Sequence, residues 1–411
     1  MPNEKPLSVT EARARIVAAA KKTPNVETIP LAEALGRTLA VDLTAKRTQP
    51  PMAVSAMDGY ALRAADVASL PAQLKLIGES AAGHGFAGSV ESGECVRIFT
   101  GAPVPHGADA VLMQENVKAD GATIVPQKSV LAGDFIRKAG LDFSEGDRLL
   151  REGSVLGPVE IALAAAMDHA ALPVARRPRV AILATGDELV RPGNPIGADQ
   201  IVASNSFAIA SYVQLAGGTA IDLGIAGDDF AALEAGIKAA RDSGADVLVT
   251  LGGASVGDHD LVKSALAREG MELGFWRIAM RPGRPLIHGR LGDMLILGLP
   301  GNPVSAMVCG VLFLLPLVRA LSGAPQPDAE TGEPALLGAP LRANDSRQDF
   351  LRATLTANEN GLTVATPLQA QDSSLLRVMA QAQCLIVRMP QAPEAKAGEP
   401  CRVIRLPKAG I

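Results

Sequence analysis

Aromatic residues are scarce in this 411-residue chain: one Trp, two Tyr and nine Phe make up 3% of it, while 48% is hydrophobic overall. Its cores must therefore be packed from Ala, Val, Leu and Ile. Cysteine is equally thin. Cys95, Cys309, Cys384 and Cys401 lie far apart, no pair forms Cys-x-x-Cys, and the five histidines lack zincin spacing. That excludes a disulfide framework and a structural zinc site. There is no large excess of one charge: a formal net charge of −4 leaves no electrostatic footprint for nucleic acid, so any basic cluster serves a local purpose. The N-terminus, Met1-Pro-Asn-Glu-Lys-Pro, has no apolar core of a secretion signal. The one long hydrophobic run, Val304 to Val318, is shorter than the ~20 residues a bilayer needs and contains Pro316. It is expected to be a core helix in a cytoplasmic protein with no membrane partner.

A chain of this length implies two to four domains at roughly 100–200 residues each. Ser8-x-x-Glu11 is a capping box ahead of Ala12-Arg-Ala-Arg-Ile-Val-Ala-Ala-Ala, so a helix opens the fold, and a short second helix near Leu31 to Leu35 should stop at Gly36. From about Arg47 to Gly146, short Val/Leu/Ile runs between Gly and Pro indicate a β-rich insert. Helical pattern returns at Glu160 to Met167, placed to pack with the first helices. Residues 1–46 and 147–176 are therefore expected to form one discontinuous N-terminal helical domain around an insert domain, 47–146. Strand and helix patterns then alternate from Arg179 to Arg319, which specifies a mostly parallel, doubly wound α/β sheet over 177–325. A Pro/Gly/Ala-rich linker after Ser322 leads to short alternating strands, expected to close a small C-terminal β-barrel over 326–411. The fold class expected is α/β multidomain.

In an open α/β sheet, ligands sit beyond the carboxyl ends of the strands, and three of these strands end in unusual loops. The central one is Asp246-Val-Leu-Val-Thr-Leu-Gly-Gly-Ala-Ser-Val-Gly-Asp-His-Asp260. Gly252 and Gly253 allow close backbone approach to an anion, Ser255 adds a hydroxyl donor, and Asp258 and Asp260 are hard oxygen donors suited to Mg²⁺ bound alongside phosphate. Asp260 serves equally well as the cap of the helix that follows. The second loop is Thr185-Gly186-Asp187-Glu188, where Pro192-Gly193 arrives too soon for much of a helix, so the acids should face a ligand. The third is Leu299-Pro300-Gly301-Asn302-Pro303, with Asn302 an N-cap, Pro303 a first helical residue, and a helix N-terminus that favours an anion. Arg277, Arg281 and Arg284, fixed by neighbouring prolines, offer guanidinium forks for an oxyanion. Ser55-Ala-Met-Asp-Gly-Tyr-Ala61 and Thr100-Gly-Ala-Pro103 read by themselves as turns.

Taken in order, Ser-Ala-Met-Asp-Gly-Tyr-Ala (55–61), Arg-Ile-Phe-Thr-Gly (97–101), Gly-Ala-Asp-Ala-Val (107–111), Thr-Gly-Asp-Glu-Leu (185–189), Gly-Gly-Ala-Ser-Val-Gly (252–257) and Leu-Pro-Gly-Asn-Pro-Val-Ser-Ala (299–306) resemble the molybdopterin molybdenumtransferase family, which includes the E domain of gephyrin. The resemblance runs from the first helix to the last strands. It implies an elongated homodimer of four-domain subunits, and a reaction that takes adenylylated molybdopterin, inserts molybdate at the dithiolene and releases AMP with Mg²⁺. It implies that Asp58, Thr100 and Asp142 belong to the active cleft, the first two facing the partner subunit's pterin domain. Glu188, Asp228 and Asp260 match acids tied to metal binding or activity, and Arg352 and Ser373 match residues tied to oxyanion binding. The chain departs from the family in carrying Arg277, Arg281 and Arg284 where lysines are usual, and Ala53-Val54 in place of Asp-Asn. Other proteins of molybdenum cofactor synthesis are candidate partners. Two further readings stay open at this point, a pterin adenylyltransferase and a non-catalytic scaffold of the gephyrin type.

Overall fold

The computed structural model describes residues 6–21, 25–253, 261–325 and 332–407. Its centre is a six-stranded sheet in the order Thr219–Ala226, Arg179–Thr185, Val247–Leu251, Met294–Leu299, Pro285–Leu291, Glu272–Arg277. The first four strands run parallel. The last two each pair antiparallel with their inner neighbour, so the sheet is mixed at one edge. Because successive side chains of a strand face opposite ways, Val180, Ile182 and Ala184 enter one core while Ala181 and Leu183 enter another. The first core is covered by the helices Asn205–Leu215 and Pro303–Leu321, and the second by Phe230–Asp242 and Leu261–Arg268. Covering both faces is what allows a strand as uniformly buried as Val247–Leu251.

The helix Pro303–Leu321 has the length and composition to cross a bilayer, yet 89% of its most apolar window is buried inside the protein. It is a core helix. A π-helical turn over Gly310–Leu314 interrupts it just before Pro316. Proline has no N–H to give to the carbonyl four residues back, and its ring collides with that carbonyl, so a widened turn is the local remedy.

Ser8 caps the first helix, Val9–Ala19, by accepting the Glu11 N–H at 3.1 Å. That helix buries Val9, Ala12 and Ile16 in the core of the central sheet, not against Pro158–Ala166, which packs in the separate cluster of Ile29, Leu39 and Leu172. Each large aliphatic side chain buried there contributes about 1.5–3 kcal/mol. The early and late N-terminal segments rejoin as a ribbon instead, Val26–Pro30 antiparallel to Ala171–Ala175. The expected second helix is a single 3-10 turn, Leu31–Glu33. Between the two arms of the ribbon lies a six-stranded sheet whose members run from Gly59 to Pro126. At the C-terminus, Gln348–Ala357 pairs with both Thr363–Pro367 and Cys384–Arg388, closing a five-stranded barrel completed by Glu333–Leu337 and Pro400–Arg405. Closure gives every strand a neighbour on each side and leaves open only strand ends such as Gln348 and Asp349. Met280–Arg281 docks parallel on Gln348–Asp349 and so stitches the α/β domain to the barrel.

Candidate active site

Strands Arg179–Thr185, Val247–Leu251 and Met294–Leu299 are neighbours pointing the same way, so their carboxyl ends emerge side by side. The loops that follow them line one cleft of about 860 Å³: Thr185, Gly186 and Glu188 from the first, Gly252 and Gly253 from the second, Pro300, Gly301, Asn302 and Pro303 from the third, with Asp228 alongside. The contact between loops is backbone to backbone. Gly252 donates its N–H to the Leu299 carbonyl at 3.2 Å, and a Cβ added to Gly301 would stand 3.6 Å from the Cα of Gly252.

Within the first loop the residues divide by task. Thr185 is 4% exposed and its hydroxyl donates to the Leu251 carbonyl at 3.4 Å, which ties loop one to loop two. Asp187 does not line the cleft; its Oδ1 accepts the Asp228 N–H at 3.0 Å and so positions that acid. Glu188 and Asp228 are exposed carboxylates on the cleft wall. No helix follows Thr185: Leu189–Val190 runs parallel to Ile201–Val202. Ser255, Asp258 and Asp260, with His259, lie outside the described residues.

Asn302 occupies the N-cap position, but its side chain does not cap. Its Nδ2 donates instead to Ser373 Oγ at 3.0 Å, while the Val304 N–H donates to the Ser373 carbonyl at 3.0 Å. The barrel thereby reaches the rim, where Ser374 and Leu376 join the lining. Arg352, 2% exposed, donates to the carbonyls of Phe350 and Asp372 at 3.3 and 3.4 Å and supports the turn carrying Ser373. Burial pushes its pKa below the usual arginine value, and its Nε has no partner.

The three arginines part company. Arg277 stacks on Trp276 at 3.8 Å, and Arg284 is exposed directly before Pro285, a lining residue. Arg281 is paired with Asp349 of the barrel and lies 3.6 Å from Asp345. Asp349 is 4% exposed, so Arg281→Ala is expected to strand a buried carboxylate and to cost about 1–3 kcal/mol, discounted for the half-exposed arginine. Urea unfolding tests this: the double variant Arg281→Ala/Asp349→Asn should recover most of the loss, and equal destabilisation in single and double variants would remove the pair as its cause.

Asp58 and Thr100 come together on the insert sheet. Asp58 Oδ1 accepts both the Thr100 N–H at 2.7 Å and its hydroxyl at 2.9 Å. These bonds, the backbone one foremost, hold the Asp58 carboxyl below its ordinary pKa, with Arg97 assisting. Asp142 is exposed in the same segment. Among the described residues, no hydrogen bond or ion pair joins any of the three to the α/β cleft. Sequence reasoning missed Asn205, Ser374 and the apolar lip of Ile201 and Val202, all of which line the cleft. Ala-Ser-Asn-Ser reads as an ordinary helix start, so only Asn205 carried a signal, and it was a polar residue at a helix start.

A doubly wound sheet whose adjoining strand ends present glycine backbone and the carboxylates of Glu188 and Asp228 to one cleft defines an α/β protein with a ligand cleft at the carboxyl edge of its sheet. The comparisons narrow this class. Residues 7–167 match the MoeA N-terminal region (domain I and II), 181–320 the probable molybdopterin binding domain, and 334–406 the MoeA C-terminal region (domain IV). A molybdopterin molybdenumtransferase of Haemophilus influenzae is 35% identical over 394 residues, covering 96% of this chain and 97% of that one. The Bacillus subtilis protein of that name is 34% identical over 93% of this chain and 90% of its own. The crystal structure of a MoeA protein from Pyrococcus horikoshii OT3 superposes with a TM-score of 0.84 at 27% identity, covering 98% of this chain and all of that one (100%). The chain belongs to the molybdopterin molybdenumtransferase (MoeA) family.

Proposed function

We propose that this protein is a molybdenum insertase of molybdenum cofactor biosynthesis, taking molybdate and adenylylated molybdopterin as substrates and releasing AMP. The observation that carries this reading is the convergence of three loops on one cleft, with the barrel closing its rim through Ser373 and Ser374. A pterin adenylyltransferase would need the central domain alone, so a barrel that lines the same cleft favours the insertase.

The residues divide the work. Gly253 and Gly301 bring backbone close to the adenylyl phosphate, and the start of the helix at Pro303 favours its negative charge. Ser373, supported by Arg352, faces the oxyanion together with Arg284. Arg277, already stacked on Trp276, supplies further positive charge, and Arg281 fixes the arginine turn to the barrel. Glu188 and Asp228 would hold Mg²⁺: two carboxylates on one wall suit an ion that keeps several waters and takes phosphate oxygens for its remaining ligands. Such an ion supplies Lewis-acid polarisation of the phosphate. No protein nucleophile is required.

Asp58 and Thr100 complete the reading as groups presented by the second subunit of a cytoplasmic homodimer, with Asp142 a further acid of the cleft. The test is AMP release by the purified protein, expected only when molybdate, Mg²⁺ and the adenylylated pterin are all present. AMP retained on the protein with all three supplied would end this reading.

A further inference from the structure

Asn205 begins the helix Asn205–Leu215 and lines the cleft, yet it lies outside the six motifs that carry the family resemblance. Its Nδ2 donates to the Gly301 carbonyl at 2.6 Å, a short bond to the turn Pro300-Gly301-Asn302. Its Oδ1 is shut off from solvent and has no hydrogen-bond partner. A buried acceptor left without a donor is costly, so an amide at this place is not explained by stability. Its Oδ1 accepts no backbone N–H of the first turn, so Asn205 does not cap the helix either.

What the amide does accomplish is a linked set of contacts. Asn205 grips Gly301; the next residue, Asn302, donates to Ser373 Oγ; and the same serine's carbonyl takes the Val304 N–H. Two consecutive residues of one loop are thus held from opposite sides, one by a helix of the α/β domain and one by the barrel. Glycine at 301 has little intrinsic stiffness, so these two grips supply order that the turn's own backbone does not.

We propose that Asn205 is a positioning residue for the reaction: acting through the Gly301 carbonyl, it sets the turn that receives the adenylyl phosphate and keeps Asn302 in register with Ser373. This rests on the insertase reading above. Two variants test it, with AMP release and thermal unfolding measured on each full-length protein. Asn205→Ala removes both amide atoms. Asn205→Asp keeps the shape and Oδ1 but sets a carboxylate oxygen against the Gly301 carbonyl in place of the N–H. Both are expected to lower kcat/KM for AMP release by on the order of 10- to 100-fold, as a displaced positioning group does, with the unfolding temperature close to that of the parent.

If Asp retained the activity that Ala lost, Oδ1 would be the working atom and the positioning role would fall. Unfolding temperature dropping in step with activity, or activity unchanged in both variants, would overturn it as well. Parent protein that released no AMP would instead count against the insertase reading, which separates the two failures.

Discussion

Subunits carrying Asp58→Ala and subunits carrying Glu188→Gln are each expected to be inactive as homodimers and to regain activity when mixed. Each substitution removes a carboxylate from the proposed site, and losing one such preorganised group lowers turnover by on the order of 10²–10³-fold. If a site joins Asp58 of one subunit to Glu188 of the other, each mixed dimer contains one doubly damaged site and one intact site. Random exchange at equal amounts makes half of the dimers mixed, so about a quarter of the parental AMP release should return. The control puts both substitutions on one subunit and mixes it with the parent: those mixed dimers hold no intact site and should add nothing. Recovery absent from the first mixture would show that Asp58 serves its own subunit's cleft or none. Asp58→Ala also removes the two bonds that Thr100 makes in the parent, so the unfolding temperature of each variant is measured before mixing. The Thr100 bonds hold the Asp58 carboxyl below the ordinary carboxylate pKa, so their contribution to stability is complete above that ordinary value and is lost only as pH falls through the lowered one. At neutral pH Asp58 is ionised and its clamp intact.

The convergence of Glu188, Gly253 and Pro300 was legible in the chain because it follows from local rules. Apolar runs of strand length alternating with helical segments dictate parallel neighbours, and parallel neighbours deliver their following loops to one rim. Helix starts were equally local: Ser8 caps as its spacing predicts, and Asp229 accepts the Ala232 N–H at 2.9 Å. What the sequence concealed depends on contacts between distant segments. Nothing near Val9 says that the first helix packs on the long apolar helix and not on Pro158–Ala166, since both partners lie far along the chain. Arg281 looked like a free guanidinium in a proline-braced turn, and its partner Asp349 lies in a different domain. Asn302 has the right identity for a cap, yet the barrel competes successfully for its amide. Side-chain hydrogen bonds to a neighbouring domain override local capping whenever the alternative partner is brought close by the fold, and pattern reasoning has no access to that distance.

The same loop contacts make Gly252→Ala the substitution expected to damage the α/β domain most. Gly252 has φ +102°, a conformation L side chains rarely adopt, and a Cβ there would lie 2.6 Å from the Thr185 carbonyl oxygen and 2.9 Å from its hydroxyl. Backbone strain alone costs on the order of 1–3 kcal/mol. The collision adds to it, because the carbonyl belongs to a buried strand end and cannot yield as a flexible side chain would. Relief requires loop two to move off loop one, which would carry Gly253 away from the position proposed for the phosphate and loosen the Leu299 bond on the other side. Gly193→Ala supplies the reference: φ there is +88°, also positive, but nothing lies within 4 Å of the added carbon. The reference should therefore show strain without collision, a modest fall in the urea midpoint and near-parental AMP release. Gly252→Ala should unfold at distinctly lower urea and lose on the order of 100-fold in kcat/KM. Equal behaviour of the two variants would mean that the first and second loops do not touch as described, and the single cleft that supports the proposed chemistry would lose its wall.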